Sequence, residues 1–149
     1  MAMADLSVRE CTTPQEKEVA QRFRQKHFFD RISIKDPYVW TFSREGHSHF
    51  VLYKKGLVIG YAHIQYWPDH RTALRIIVID ETERKHGYGS FLLKFCEQKL
   101  TEEGIKILHT EAAPDVVEFY KNLGYSEMPF DDPEKHPSDE RDTPMGKKL

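Results

Sequence analysis

The sequence predicts a mixed α/β fold, a single sheet with helices against its faces, and three observations predict it. Short apolar runs of strand character alternate with amphipathic helical patterns from Leu6 to Leu149. Thr13-Pro14-Gln15-Glu16 is a capping box with proline at the first helical position. A third strand-to-helix passage, residues 74–100, turns through Arg84-Lys85-His86-Gly87-Tyr88-Gly89. At 149 residues the chain has the length of one domain, and no Pro/Gly/Ser-rich linker or internal repeat divides residues 1–149.

The elements follow in order. Leu6 to Cys11 reads as a strand. The capping box starts a helix at Pro14 that places Val19, Ala20, Phe23 and His27 on its inner face and runs to about Asp30. Residues 32–42 turn at Asp36-Pro37 and then form a short helix or lid from Tyr38, Val39, Trp40 and Phe42. His49 to Tyr53 and Leu57 to Trp67 are strands joined by the hairpin Lys54-Lys55-Gly56. Pro68-Asp69-His70 leads into a fourth strand, Thr72 to Ile79. Tyr88, Phe91, Leu92, Phe95, Cys96 and Leu100 mark one face of the helix that follows, and Gly104 stops it. Ile105 to Thr110 is a fifth strand. Val116, Phe119, Tyr120 and Leu123 form a short helix closed by Gly124, and Met128 to Phe130 and Pro144 to Leu149 are terminal strands around a polar loop. The predicted order is β-α-β-β-β-α-β-α-β-β.

Composition removes several classes of function. A net charge of −2 with a pI near 6.4 offers no broad basic face for nucleic acid or an anionic membrane. The apolar runs are too short to span a bilayer, and the first residues lack a signal-peptide core. Cys11 and Cys96 stand far apart without metal-ligand spacing, as suits a reducing cytoplasm. His47 and His49 would share a strand face, but no third ligand accompanies them, so no metal is expected.

The turn at Arg84 to Gly89 carries the chemistry. Turn amides and the first N–H groups of a helix lack intrahelical partners, and the helix dipole adds partial positive charge, so a phosphate fits there. Gly87 and Gly89 allow close backbone approach. The string is not a P-loop, which needs Gly-Lys-Ser/Thr, nor a dinucleotide fingerprint, which needs three glycines. The residues alone leave two readings, a pyrophosphate site of another kind or a basic strand-to-helix turn.

With these motifs in place, the chain resembles the GNAT superfamily of N-acetyltransferases. That family carries Arg/Gln-x-x-Gly-x-Gly/Ala after its fourth strand, matched by Arg84, Gly87 and Gly89. It also carries Phe-Tyr-x-x-x-Gly-Phe/Tyr on a later helix, matched by Phe119, Tyr120, Gly124 and Tyr125. The resemblance extends from about residue 6 to the end and is strongest from Ile76 to Tyr125. It implies a mostly antiparallel mixed sheet whose strands four and five splay apart. It implies acetyl-CoA as donor and co-substrate, with the pyrophosphate on the amides of Arg84, Lys85, His86, Gly87, Tyr88, Gly89 and Ser90. The pantetheine arm would pair with the backbone of Ile77, Val78 and Ile79. The reaction implied is acetyl transfer to a primary amine, a small molecule or a protein lysine, by direct attack in a ternary complex.

Site residues follow from the same resemblance. A phenol with an ordinary pKa of about 10 is protonated at neutral pH, so Tyr120 can give its proton to the departing thiolate. It also reads as a core tyrosine, since Val116 and Leu123 place it on the buried side of its helix. The acceptor ammonium must lose a proton before attack. Strand four offers Arg75 where a carboxylate base often stands, leaving Glu111 on strand five as the nearest acid, with His63 or His109 relaying through water. Each of these three reads equally as a structural polar group. His63 and Gln65 share a strand face and, with Arg75, are expected to line the acceptor groove. Ala113 replaces an asparagine the family often uses against the cofactor, so that contact is expected to be lost. The acids Asp131, Asp132, Glu134, Asp139, Glu140 and Asp142 either attract a cationic acceptor or form a solvated loop. Cys96 reads as core, and no acetyl-enzyme is expected. Pairing of terminal strands would make a homodimer. The reading of another class is a non-catalytic acyl-CoA-binding sensor or interaction module.

Overall fold

The computed structural model describes residues 5–149; residues 1–4, counted above in the single domain, lie outside the described residues. Among the described residues seven strands form one sheet in the order β1-β2-β3-β4-β5-β7-β6. They are β1 (Leu6–Glu10), β2 (His47–Lys54), β3 (Leu57–Trp67), β4 (Arg71–Ile79), β5 (Ile107–Ala112), β6 (Ser126–Glu127) and β7 (Thr143–Lys148). The β4–β5 pair is parallel and all other neighbours are antiparallel. Helix α1 (Pro14–Arg24) covers one face, where Ala20 and Phe23 pack with Phe42, Val51, Tyr61 and Val78. Helices α2 (Tyr88–Glu102) and α3 (Val117–Asn122) cover the other, where Leu92, Leu93, Cys96 and Tyr120 pack with Phe50, Leu52, Ile64 and Leu108.

Local chemistry sets most boundaries. At the start of α1 the Thr13 hydroxyl accepts from the Glu16 amide at 3.2 Å, and the Glu16 carboxylate accepts from the Thr13 and Thr12 amides at 3.1 and 3.0 Å. The β2–β3 hairpin turns on Lys55 and Gly56, both with positive φ, the pairing a two-residue type I′ turn needs. At Gly104 the chain enters the left-handed region, Gly104 N–H donates to Thr101 and Ile105 N–H to Leu100, and α2 stops. Gly124 ends α3 in the same way, with Tyr125 N–H donating to the Tyr120 carbonyl.

Several expectations are corrected. The first helix is regular only to Arg24, then widens into a π-turn over Gln25–Phe29 and tightens into a 3₁₀ turn over Asp30–Ile32. Gln25 drives this change: its amide donates to Asp30 and to the Ile34 carbonyl, and its oxygen accepts from the Asp36 amide, pulling the following segment back onto the helix. The ambiguous segment contains a 3₁₀ helix, Val39–Ser43. Phe95, expected on the buried face of α2, is exposed, and Leu93 is buried instead. The sixth strand occupies Ser126–Glu127 in place of Met128 to Phe130. No helix among the described residues is long and apolar enough to cross a membrane.

The capping box yields a test. Backbone hydrogen bonds from Thr12 and Thr13 hold the Glu16 carboxyl down at about 2. Its folded value lies below the roughly 4.3 of an unfolded glutamate, so its contribution is complete above about pH 5 and is lost as pH falls toward 2. Thr13→Ala is expected to cost about 1 kcal/mol in urea unfolding at neutral pH.

Candidate active site

The site begins at an irregularity in β4. Residues of β3 and β4 pair in order up to Ile64↔Leu74, and the next pair is His63↔Ile76, so Arg75 is an extra residue, a β-bulge. The parallel pairing of β4 with β5 covers Arg71–Leu74 against Ile107–Thr110 and ends at the same place. Beyond it the two strands splay, as expected from the resemblance. A groove of about 620 Å³ opens there, lined by Ile77, Val78 and Ile79 of β4, by Ala113, Phe119 and Tyr120, and by Arg84, Lys85, Gly87, Tyr88, Gly89 and Ser90.

The turn at the end of this groove is held from within. Arg84 Nε donates to the Ile79 carbonyl at 3.0 Å, so its side chain clamps the turn to the end of β4. Gly87 sits at φ 81°, Lys85 at φ 66°, and Gly87 caps α2 without any side-chain hydrogen bond to the first-turn amides. The residues that carry those amides, Tyr88, Gly89 and Ser90, line the groove. A Cβ at Gly89 would meet the Phe119 ring at 3.5 Å, an ordinary contact, so packing alone does not demand glycine there. Tyr88 is buried, and its ring packs into the core. His86 is exposed, its ring lies tilted to that of Tyr88 at 5.7 Å between centroids, and it is not among the residues lining the groove.

Tyr120 lines the groove from α3 and is 5 % exposed. Burial raises its phenol above the ordinary value, and the Thr110 hydroxyl pulls slightly the other way, so the group stays protonated at neutral pH. Phe119 and Tyr125 meet its ring edge-on, at 5.2 and 5.4 Å between centroids.

A second cavity, of about 290 Å³, adjoins the first; Phe28 lines both. Rings of Phe28, Phe29, Tyr38 and Trp40 form one part of its wall. The expected residues His63, Gln65, Arg75 and Glu111 all line it, together with His47 and Ile76. Strand periodicity explains the gathering: His47 lies on the α1 face of β2, His63 and Gln65 on the same face of β3, and the bulge brings Ile76 and Arg75 to it from β4. Glu111 is half-buried and has no hydrogen-bond or ion-pair partner among the described residues.

The acidic loop, which the sequence left either to attract a cationic acceptor or to stand in solvent, supplies residues to the cavity. Glu134 and His136 line the cavity, and a chain of polar contacts ties the loop down. Arg75 donates to Asp132 at 3.1 Å and to Gln65 at 2.8 Å, Gln65 donates to Glu134, and Glu134 pairs with His136 at 2.8 Å. The acids of the segment were visible; their docking on Arg75 was not.

A further polar group lies beneath the cavity. Arg24 is fully buried, forms a two-point pair with Asp36 at 2.7 and 3.0 Å, and donates to the Tyr61 hydroxyl at 2.8 Å and to His63 Nδ1 at 3.3 Å. His63 Nε2 meets His47 Nδ1 at 2.9 Å. Both ring nitrogens of His63 are therefore engaged, which corrects its expected role as a proton relay. His109 is corrected too. It lies on the Glu111 side of β5 but two residues back, where β4 and β5 are still paired, with its ring tilted against that of Trp67 at 5.3 Å and outside the lining of both cavities. Arg24 was legible in principle, because it shares the spacing of Ala20, Phe23 and His27 on an inner helical face.

No metal-holding group of three or more His, Cys, Asp or Glu occurs among the described residues. Burial pushes both thiols up to about 12, so neither Cys11 nor Cys96 is a thiolate at neutral pH.

This arrangement, a bulged and splayed strand facing a glycine-bearing strand-to-helix turn, is the one the family resemblance implied. The chain belongs to the acetyltransferase (GNAT) family, whose profile matches residues 6–125. Solved structures agree in fold. A Lactobacillus plantarum protein provisionally assigned as an N-acetyltransferase superposes with a TM-score of 0.80 at 21 % identity, over 97 % of this chain and 98 % of the other. The ribosomal-protein-S18-alanine N-acetyltransferase of Escherichia coli superposes with 0.73 at 19 % identity, over 96 % and 93 %. The PaiA N-acetyltransferase of Thermoplasma acidophilum, solved with coenzyme A, superposes with 0.62 at 15 % identity, over 96 % and 99 %. No protein of curated function matches the sequence.

Removing one partner of the Arg24–Asp36 pair leaves a buried charge alone. Arg24→Met is expected to lower the urea-unfolding free energy by about 3–5 kcal/mol, and the double variant Arg24→Met, Asp36→Leu to recover much of that loss.

Proposed function

We propose that this protein transfers the acetyl group of acetyl-CoA to a primary amine by direct attack in a ternary complex. The observation that carries the reading is the junction at Arg75, where a groove containing a protonated phenol adjoins a ring-lined cavity containing an unpaired carboxylate. The turn amides of residues 84–90 would hold the pyrophosphate, and the unpaired edge of Ile77–Ile79 would take the amides of the pantetheine arm in place of a strand. Coenzyme A bound to the Thermoplasma protein and the alanine acceptor of the Escherichia coli enzyme support acyl-CoA as donor and an amine as acceptor by likeness of fold.

The chemistry balances on this chain's residues. The ammonium acceptor gives a proton to Glu111 directly or through water, its nitrogen attacks the thioester carbon, and β4 N–H groups polarise the carbonyl oxygen. The carbon–sulfur bond breaks, Tyr120 gives its proton to the leaving sulfur, the nitrogen loses its second proton, which returns to the Tyr120 phenolate through water, Glu111 releases the first proton to solvent, and N-acetyl amine and CoA depart. Buried, protonated thiols leave no nucleophile for an acetyl-enzyme.

Calorimetric binding of acetyl-CoA, with thiol release against polyamines, amino-acid amides and lysine peptides, tests the proposal. Binding without turnover on any amine would return the protein to the sensor class. Tyr120→Phe is expected to lower kcat by about 10²-fold or more with binding of acetyl-CoA unchanged. Because the folded phenol lies above its ordinary value, the proton needed for the leaving group persists to about pH 10, and the parent rate should show no alkaline fall below that pH. A Tyr120→Phe variant as fast as the parent would remove the role assigned to Tyr120.

A further inference from the structure

We infer that His47 presents an N–H donor from Nε2 to the acceptor cavity, and so selects a primary amine that also carries a hydrogen-bond-accepting oxygen. The inference rests on the reading of that cavity as the acceptor site.

The argument starts at Arg24, whose guanidinium only donates. Its Nη1 lies 3.3 Å from His63 Nδ1, so that nitrogen must offer a lone pair. A neutral His63 with a bare Nδ1 carries its proton on Nε2, and this N–H faces His47 Nδ1 at 2.9 Å. His47 Nδ1 must therefore accept, which leaves its own proton on Nε2. The same guanidinium donates to the Tyr61 hydroxyl at 2.8 Å, and that hydroxyl lies 2.6 Å from His49 Nδ1; His49 Nε2 meets the Thr41 carbonyl, which only accepts, at 3.3 Å, so His49 has its proton on Nε2. One buried cation thus sets the tautomers of His63 and His47.

Protonating His47 would set two N–H groups head to head across the 2.9 Å contact. Burial and the nearby Arg75 and Arg44 also lower its pKa, against the opposing pull of Glu134. The Trp40 ring meets the His47 ring edge-on at 5.5 Å and holds it at the cavity wall. Its Nε2 has no protein partner among the described residues.

On this part of the wall His47 Nε2–H is the open donor: Arg75 is committed to Gln65 and Asp132, Glu134 is engaged by Gln65 and His136, and the Glu111 carboxylate serves the reacting nitrogen. Beside His47 a carbonyl, hydroxyl or carboxylate oxygen is satisfied there, whereas a second ammonium, which only donates, is not. The acceptor class is therefore an oxygen-bearing primary amine, such as an α-amino amide, and not a simple alkyl diamine.

Two measurements on the whole protein with CoA test it. Long-range ¹H–¹⁵N spectra of histidine-labelled protein at pH 7, assigned with His47→Gln, should show His47 and His63 as neutral Nε2–H tautomers; a cationic or Nδ1–H His47 overturns the inference. Calorimetry should show leucinamide binding about five- to tenfold more tightly than 3-methylbutylamine, which lacks only the carboxamide. His47→Leu should abolish that preference, and His47→Gln should keep part of it. Equal binding of the two amines, no binding of either, or a preference that survives in His47→Leu overturns it. Should His47→Leu fail to fold, a shift of the parent His47 Nε2 signal with leucinamide but not with 3-methylbutylamine carries the test, and its absence refutes the inference. These readouts do not need turnover, so a failure of the proposed transfer reaction would register separately, as absent thiol release.

Discussion

One extra residue in β4 sets the geometry on which the site depends. Without the bulge at Arg75, side chains two apart would share a face, and Leu74 and Ile76 would point to the same side of the sheet. With it, Leu74 packs into the core under α2 while Ile76 joins the core under α1. The pairing with β5 stops at the same point. A sheet that gives up ladder hydrogen bonds in its centre leaves backbone groups that need partners, and here they line a groove large enough for a ligand carrying amides. The irregularity is thus the reason that a groove and a cavity can meet in the middle of an otherwise regular sheet.

The second constraint is electrostatic. Placing Arg24 at zero exposure beneath the cavity is costly unless its donors are used, and Asp36, Tyr61 and His63 take four of its five N–H groups. The pair does more than neutralise charge, because Asp36 belongs to the segment that carries Tyr38 and Trp40 into the cavity wall. Asp36 also accepts from the Tyr38 amide at 2.8 Å, and Gln25 secures the Asp36 amide from the π-turn. The widened end of α1 and the fixed histidine tautomers therefore share a cause, the anchoring of residues 33–40 onto a buried guanidinium. Cation–ring contacts from Arg24 to Phe29, Phe42 and Tyr61 extend the same anchor into the apolar layer.

What the sequence disclosed follows from the range of each signal. Capping at Thr13, the I′ turn at Lys55-Gly56 and the helix stops at Gly104 and Gly124 depend on neighbours within a few residues, and these are readable without tertiary information. The splay came from the family resemblance, since no local pattern encodes which strands fail to pair, and the placing of β7 between β5 and β6 was not read from the sequence. Gln65, Arg75 and Glu111 were placed in a common site by strand phase and motif. Their partners Asp132 and Glu134 were not, because those contacts join positions nearly sixty residues or more apart. Arg24, His47 and the engagement of His63 were hidden for the same reason: a charged residue on an apolar helical face announces a buried partner without naming it.

The pair of buried phenols at the end of α3 explains why the proposed acid is Tyr120 and not its neighbour. Both are raised by burial, so pKa does not separate them. Partners do. Tyr125 donates to Glu97 at 2.7 Å, and Lys147 holds the other oxygen of that carboxylate at 3.0 Å, so the Tyr125 proton is fixed in a structural pair under α2. Tyr120 faces the groove with only the Thr110 hydroxyl beside it, and that hydroxyl itself donates to the Leu74 carbonyl at 3.3 Å. A phenol without a carboxylate partner can release its proton to a developing thiolate and recover it afterwards. The last paired residue of β4 before the bulge, Leu74, thereby also holds the group beside the acid, which ties the position of the proposed proton donor to the point where the sheet opens.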